Sequence, residues 1–206
     1  GVSVDPGGQW VLITDLGSDR IWILPFDRTA KKVGAFDKAS PAHFVMPAGS
    51  GPRHMAWHPS GRFLYVVEEL TANVDLFGFD GAIGKLTRLQ SLSTDEPSFT
   101  GDKSAAEVVV SKDGRFVYTS NRGDHMIVVH AVDRKSGMLT RIQRIASGGP
   151  RPWHFAIHPN GKWMLVANRD ANAVSIFAIN RRTGRLAATT KVLKTPSPVH
   201  VLLSGL

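Results

Sequence analysis

Four segments of this chain share one pattern, and that repetition restricts the fold more than any other feature. Asp5-Pro6-Gly7-Gly8, His58-Pro59-Ser60-Gly61, Ser111-Lys112-Asp113-Gly114 and His158-Pro159-Asn160-Gly161 end on glycines 53, 53 and 47 residues apart. Each is followed by an apolar run: Trp10–Ile13, Phe63–Val67, Phe116–Thr119 and Trp163–Val166. A polar turn and a second apolar or alternating run come next, as in Asn73–Phe77, Met126–Val129 and Ala173–Phe177. Glycine turns such as Ser136-Gly137 and Thr183-Gly184 then lead into a further strand. β-Branched and aromatic enrichment with regular glycine punctuation favours strands over helices. A period near fifty residues with four antiparallel strands is the signature of a β-propeller blade.

The expected fold is therefore an all-β propeller of four-stranded antiparallel blades: about four blades, in a single domain, of a ring that for such repeats commonly has six to eight. The repeats fall at approximately 1–50, 51–103, 104–148 and 149–195, with a final strand over 196–206. The first residues look like the end of an inner strand, and Pro196–Leu203 resembles the inner strands that open the other repeats. We read the chain as the C-terminal part of a longer propeller. The 42% hydrophobic and 20% charged content fits a globular protein rather than a disordered one. No apolar run is long enough for a membrane-spanning helix, and the absence of cysteine excludes disulfides and thiolate metal sites.

The net charge is +8, but the basic residues are scattered over expected turns, as in Lys31-Lys32, Arg134-Lys135 and Arg181-Arg182. They are not interleaved with stacking aromatics, so nucleic acid is not an expected partner, and neither is a membrane. Most of them read as solvated turn charges, and a small anionic substrate is the other partner a basic surface can serve.

In an antiparallel blade the start of the first strand and the end of the second lie on one face. Counting back four residues from His58, Ser111 and His158 reaches His54, Glu107 and His154. Counting eight on from Gly61, Gly114 and Gly161 reaches Glu69, Arg122 and Arg169, where the first repeat has Leu16. First strands line a propeller's channel, so these groups should converge at its mouth, with His200 of the final strand. Each also has a structural reading. Arg122 and Arg169 could serve as ion-pair or turn residues. His154 fits a satisfied strand-start histidine somewhat better than a functional one. Glu69, near Arg53, reads as a base held by arginines or as a structural ion pair. His58 and His158 belong to the opposite face, and Asp19, Asp124 and Asp170 suit turn geometry alone.

Gly51-Pro52-Arg53-His54-Met55-Ala56-Trp57-His58-Pro59, Ala105-Ala106-Glu107-Val108, Ser120-Asn121-Arg122-Gly123 and Pro150-Arg151 before Phe155 together resemble the lactonase family of seven-bladed propellers. That family includes a bacterial type of 6-phosphogluconolactonase and the fungal carboxy-muconate cycloisomerase. The resemblance spans essentially the whole chain. It implies that Arg53, Glu69 and Arg122 match the arginines and acid proposed as catalytic in the cycloisomerase branch. A further histidine of that branch would lie upstream of Gly1. The family's Asn-Glu pair is Glu68-Glu69 here, which would add a negative charge near the site.

The first functional expectation is a cytoplasmic hydrolase of carbohydrate metabolism in the pentose phosphate pathway, opening an anionic sugar lactone such as 6-phosphogluconolactone. Glu69 or His54 would act as general base, and Arg53 and Arg122 would complete the catalytic set. Arg151, Glu107, His154 and His200 would contribute to substrate binding, and no metal or other cofactor is expected. Arginine forks suit phosphate and carboxylate, with charge-assisted bonds worth roughly 1.5–3 kcal/mol each. Two alternatives stand: a lactonizing cycloisomerase using the same arginines, and a non-catalytic propeller that binds a protein.

Overall fold

Each Pro-x-x-Gly-type turn closes in the same way. The N–H of its last glycine donates to the carbonyl three residues back, at Gly8, Gly61, Gly114 and Gly161. All four glycines have φ near +70°, a region open to glycine at little cost. These turns set the start of every second strand. The protein was analysed as a computed structural model that describes residues 1–34 and 42–204.

Four antiparallel sheets follow one another along the chain. The first holds β1 (Val2–Val4), β2 (Trp10–Asp15), β3 (Arg20–Asp27), β4 (Lys32–Val33) and β5 (Ala42–Val45). The second holds β6 (Pro52–Trp57), β7 (Phe63–Glu68), β8 (Asn73–Asp80) and β9 (Lys85–Ser93). The third holds β10 (Ala105–Val110), β11 (Phe116–Asn121), β12 (Met126–Val132) and β13 (Leu139–Ala146). The fourth holds β14 (Pro152–Ile157), β15 (Trp163–Asn168), β16 (Ala173–Ile179) and β17 (Leu186–Lys194). In the last three sheets the strands pair in sequence order. In the first, β4 pairs with the far end of β3 at Phe26 and Asp27, and β5 pairs with its near half. Two short segments therefore share the place of one fourth strand.

The inner strands β1, β6, β10 and β14 are neighbours in space, each against the next, as expected of strands around a propeller axis. The core lies between sheets. Residues of one parity along β7, Leu64 and Val66, pack on the first blade with Leu12, Ile21 and Ile23. Those of the other parity, Tyr65 and Val67, pack on the third blade with Val108, Val117 and Leu139. The third and fourth blades meet through Tyr118, Val129, Phe155, Met164 and Phe177. This alternation explains why β7 and β11 are buried along their whole length: they have a blade on either side.

The expected final strand is not one over its described part. Residues 195–204 carry no regular strand, and 205–206 lie outside the described residues. A strand is held by ladder hydrogen bonds to a neighbour. The inner strands elsewhere pair with the strand that follows them in the chain, and Pro196–Leu203 makes no such pairing among the described residues.

Candidate active site

The inner strands carry an irregularity at the same place in three blades. Pairing shifts between Pro52 and Met55 in β6, between Ala105 and Val108 in β10, and between Pro152 and His154 in β14. A bulge of this kind bends the strand and re-aims its side chains. Consecutive residues on a flat strand would face opposite ways. Here Arg53 and His54 both reach into one cluster, with the Arg53 Nη1 3.4 Å from the His54 ring nitrogens. The Thr14 hydroxyl donates to the Arg53 carbonyl at 2.5 Å, tying the bulge to the first blade.

The residues just beyond the second strands supply the other half of the site. Glu69, Arg122 and Arg169 are equivalent: the N–H of each donates to a carbonyl in the loop before its own inner strand, at Gly51, Ser104 and Arg151. Glu69 is clamped by two arginines. Its Oε2 lies 2.9 Å from Arg53 Nε and its Oε1 lies 2.7 Å from Arg122 Nη2. Arg122 is buried and lies over the Trp153 ring at 4.4 Å, with Arg169 over the same ring at 4.9 Å. Stacking of this type is favourable and orients a guanidinium. Desolvation by burial lowers the Arg53 pKa, and the neighbouring Arg122 charge adds to this, against the opposing pull of Glu69 and Glu107.

Glu107, buried in β10, is the second hub. Its Oε2 lies 2.8 Å from His54 Nδ1 and 3.3 Å from His154 Nε2. The N–H of Val201 points at His154 Nδ1 at 3.3 Å. That nitrogen therefore accepts, and the His154 proton sits on Nε2, where it donates to Glu107. Burial lowers the His154 pKa, with Glu107 pulling the other way, which fits a neutral imidazole. Glu107 also accepts from the Val108 N–H through Oε1. If the His54 Nδ1–H donates a hydrogen bond to the Glu107 carboxylate across that 2.8 Å contact, Nε2 is the ring's acceptor nitrogen.

Arg53, His54, Glu69, Glu107, Arg122 and His154 thus meet, while other expected residues lie farther out. Arg151 pairs with Asp170 at 3.7 Å, and its backbone N–H points at His125 Nδ1; no contact joins its side chain to the clamp among the described residues. His200 is not on a strand, yet its ring lies 3.9 Å from that of His154. Glu68 does not add charge to the site. Strand alternation turns it inward, where Thr71, Asn73 and Arg88 bond it. Trp153 is the group that the sequence reading left without a role. The signal was there, since Pro52-Arg53-His54 and Pro152-Trp153-His154 align, which places Trp153 where the second blade has Arg53. Among the described residues, no group of three or more His, Asp or Glu side chains is arranged to hold a metal ion.

Comparison with known proteins adds an independent line. The family described as lactonase, 7-bladed beta-propeller, matches residues 1–203. The chain belongs to the seven-bladed β-propeller lactonase family. Against the 6-phosphogluconolactonase of Bacillus subtilis, this lactonase-family chain is 31% identical over 196 residues, covering 95% of itself and 54% of that protein. Against that of Pectobacterium carotovorum it is 33% identical over 138 residues, 67% of itself and 40% of the relative. The periplasmic gluconolactonase PpgL of Pseudomonas aeruginosa superposes with a TM-score of 0.89 at 34% identity, over 97% of this chain and 55% of that one. The chain spans about half the length of the curated relatives it matches. No helix among the described residues is long and apolar enough to cross a membrane.

Proposed function

We propose that this lactonase-family protein hydrolyses an anionic sugar lactone, with 6-phosphogluconolactone as the substrate that best suits the site. The observation that carries the reading is the pairing of a two-arginine clamp, Arg53–Glu69–Arg122, with a histidine–carboxylate pair, His54–Glu107, at one end of the inner strands. The names of the relatives support the substrate class.

His54, rather than Glu69, is the base in this reading. Both Glu69 oxygens are engaged by guanidinium groups, so that carboxylate serves to hold the arginines. His54 Nε2 takes a proton from water as the water oxygen bonds to the lactone carbonyl carbon. Glu107 holds the ring through Nδ1 and stabilises the imidazolium that forms, with His154 fixing the carboxylate from its other side. The tetrahedral oxyanion is stabilised by Arg53, whose five N–H donors are only partly used by Glu69 and the Ala106 carbonyl. As the intermediate collapses, the ring C–O bond breaks and the leaving oxygen takes the proton back from His54. Arg122 and Arg169, both stacked on the Trp153 ring, receive the substrate's anionic group.

A phosphorylated substrate does not cross membranes unaided, so this reading goes with a cytoplasmic enzyme. An unphosphorylated gluconolactone would instead suit an envelope location like that of the Pseudomonas relative. The test is hydrolysis of freshly generated 6-phosphogluconolactone against the spontaneous rate, with gluconolactone in parallel. Acceleration that is lost in His54→Gln and Arg53→Ala supports the proposal. Acceleration untouched by either substitution would sink the assignment of the site. No hydrolysis of either lactone by folded protein would sink the substrate, and lactone formation from a carboxylated muconate would then be the next assay.

A further inference from the structure

Two of the interfaces between blades are built from the same parts and differ at one place. Between the second and third blades, Gly137 lies against the ring of Phe63, and the Tyr65 hydroxyl donates to the Gly137 carbonyl at 2.8 Å. Between the third and fourth, Gly184 lies against Phe116, and the Tyr118 hydroxyl donates to the Gly184 carbonyl at 2.9 Å. Arg62 and Arg115 stack over those two rings and donate across the interface to the Arg134 and Arg181 carbonyls.

The difference lies in the turns after the inner strands, at the far end of those strands from the Glu69 clamp. His58 fills the interface between the second and third blades. Its Nδ1 accepts from the Ser60 N–H, so its proton is on Nε2, which donates to the Gly114 carbonyl of the next blade at 3.2 Å. The ring also stands edge-on to Phe63, with centroids 5.8 Å apart. A Cβ on Gly114 would come within 2.4 Å of His58 Nε2.

In the next interface the residue equivalent to His58 is Ser111. Its hydroxyl stays within its own turn, donating to Asp113 at 2.7 Å and accepting from the Phe116 N–H at 3.0 Å. The glycine equivalent to Gly114 is Gly161, and the nearest atom to a Cβ there would be Arg181 Nε, at 3.8 Å. In place of the imidazole there is a cavity of 380 Å³ whose walls include Ser111, Phe116, Ile157, Gly161, Lys112 and Arg181. A volume of that order, with apolar walls and a few polar groups, is typical of small-molecule sites. Asp113, also in the wall, is paired with Arg115 at 2.8 Å, which leaves Lys112 and Arg181 without an acidic partner among the described residues.

We propose that this cavity is a second binding site, separate from the candidate active site, for a planar nitrogen heterocycle that carries an anionic group. The ring takes the place that His58 holds one blade earlier: its N–H donates to the Gly161 carbonyl, and its edge meets Phe116. The anionic group meets Lys112 and Arg181. The preceding interface thus shows which ring the space accepts, and in what orientation.

The probe is imidazole-4-carboxylate, titrated into the protein by calorimetry, with imidazole and benzoate in parallel. Wild type should bind the probe saturably, at one site and more tightly than either comparison compound. Ser111→His, which gives the third blade the histidine of the second and fourth, should weaken that binding at least tenfold. Arg181→Ala alters an exposed side chain and should weaken the carboxylate probe several-fold while leaving imidazole unchanged. Should Ser111→His lose the wild-type circular dichroism spectrum, Arg181→Ala alone carries the test. The proposal fails if wild type shows no saturable binding, or if imidazole or benzoate binds as tightly as the probe. It fails equally if either folded variant binds the probe at wild-type strength. Binding that disappears in Arg53→Ala would put the probe at the clamp and overturn the second site.

Discussion

Glu68 and Glu69 are adjacent in sequence and have opposite surroundings. Glu69 faces two guanidinium groups at the site, while Glu68 is buried among Thr71, Asn73, Asp75 and Arg88. Burial pushes the Glu68 carboxyl up to about 6, with Asp75 adding to the rise and the Thr71 and Asn73 bonds opposing it. The folded protein then binds this proton more tightly than the unfolded chain does. Glu68's contribution to stability is complete below its ordinary value of 4.5 and is lost as pH rises through about 6. Glu68→Gln, which mimics the protonated acid, should therefore gain on the order of 1–2 kcal/mol relative to wild type between pH 4.5 and pH 7.5. Urea denaturation of both proteins at the two pH values measures that difference. At the site, His54→Gln should lower kcat by roughly 10²–10⁴, read from steady-state rates, and Glu69→Gln should loosen the hold on Arg53 and Arg122. The candidate residues were legible because they recur at fixed offsets from the glycine turns. Which of them is the base was not, since that depends on which carboxylate the folded chain places beside which cation.

Strands and turns carry the blade-to-blade contact, and its energetics can be separated. Gly137 and Gly49 both have φ near +76°, but a Cβ at Gly49 would meet nothing within 4 Å, whereas one at Gly137 would press on Phe63. Gly49→Ala should cost about 1 kcal/mol, for the backbone alone. Gly137→Ala should cost about 1–3 kcal/mol more, for the overpacked ring. Tyr65→Phe, which removes the hydroxyl bonded to the Gly137 carbonyl, should cost roughly 1 kcal/mol. Denaturant midpoints of the three variants test the order. The second strands begin at the residues the repeat pointed to, because a glycine turn immediately before an aromatic leaves little choice of register. The bulges in β6, β10 and β14 left no comparable mark. Nothing in Pro52-Arg53-His54-Met55 departs from an ordinary strand, and the bulge shows only where the chain pairs with its neighbour.

At the scale of the whole molecule, the net charge of +8 should draw an anionic substrate towards the site. The kcat/KM for 6-phosphogluconolactone should fall several-fold between about 0.02 M and 0.5 M salt, with gluconolactone nearly unaffected. Steady-state rates on the two lactones at both salt concentrations check this. Equal sensitivity of both would place the effect elsewhere than in steering. The sequence by itself determined the blade repeat, the all-β class and the set of polar residues at one end of the inner strands. Those properties are local: a glycine at a left-handed turn, an alternating strand and a fixed offset mean the same thing in every blade. Only the tertiary structure decided that Arg53 and Arg122, from different blades, share Glu69, and that Glu107 bridges two histidines. Each of these depends on residues far apart in the chain meeting a partner, and such meetings are set by how the blades pack.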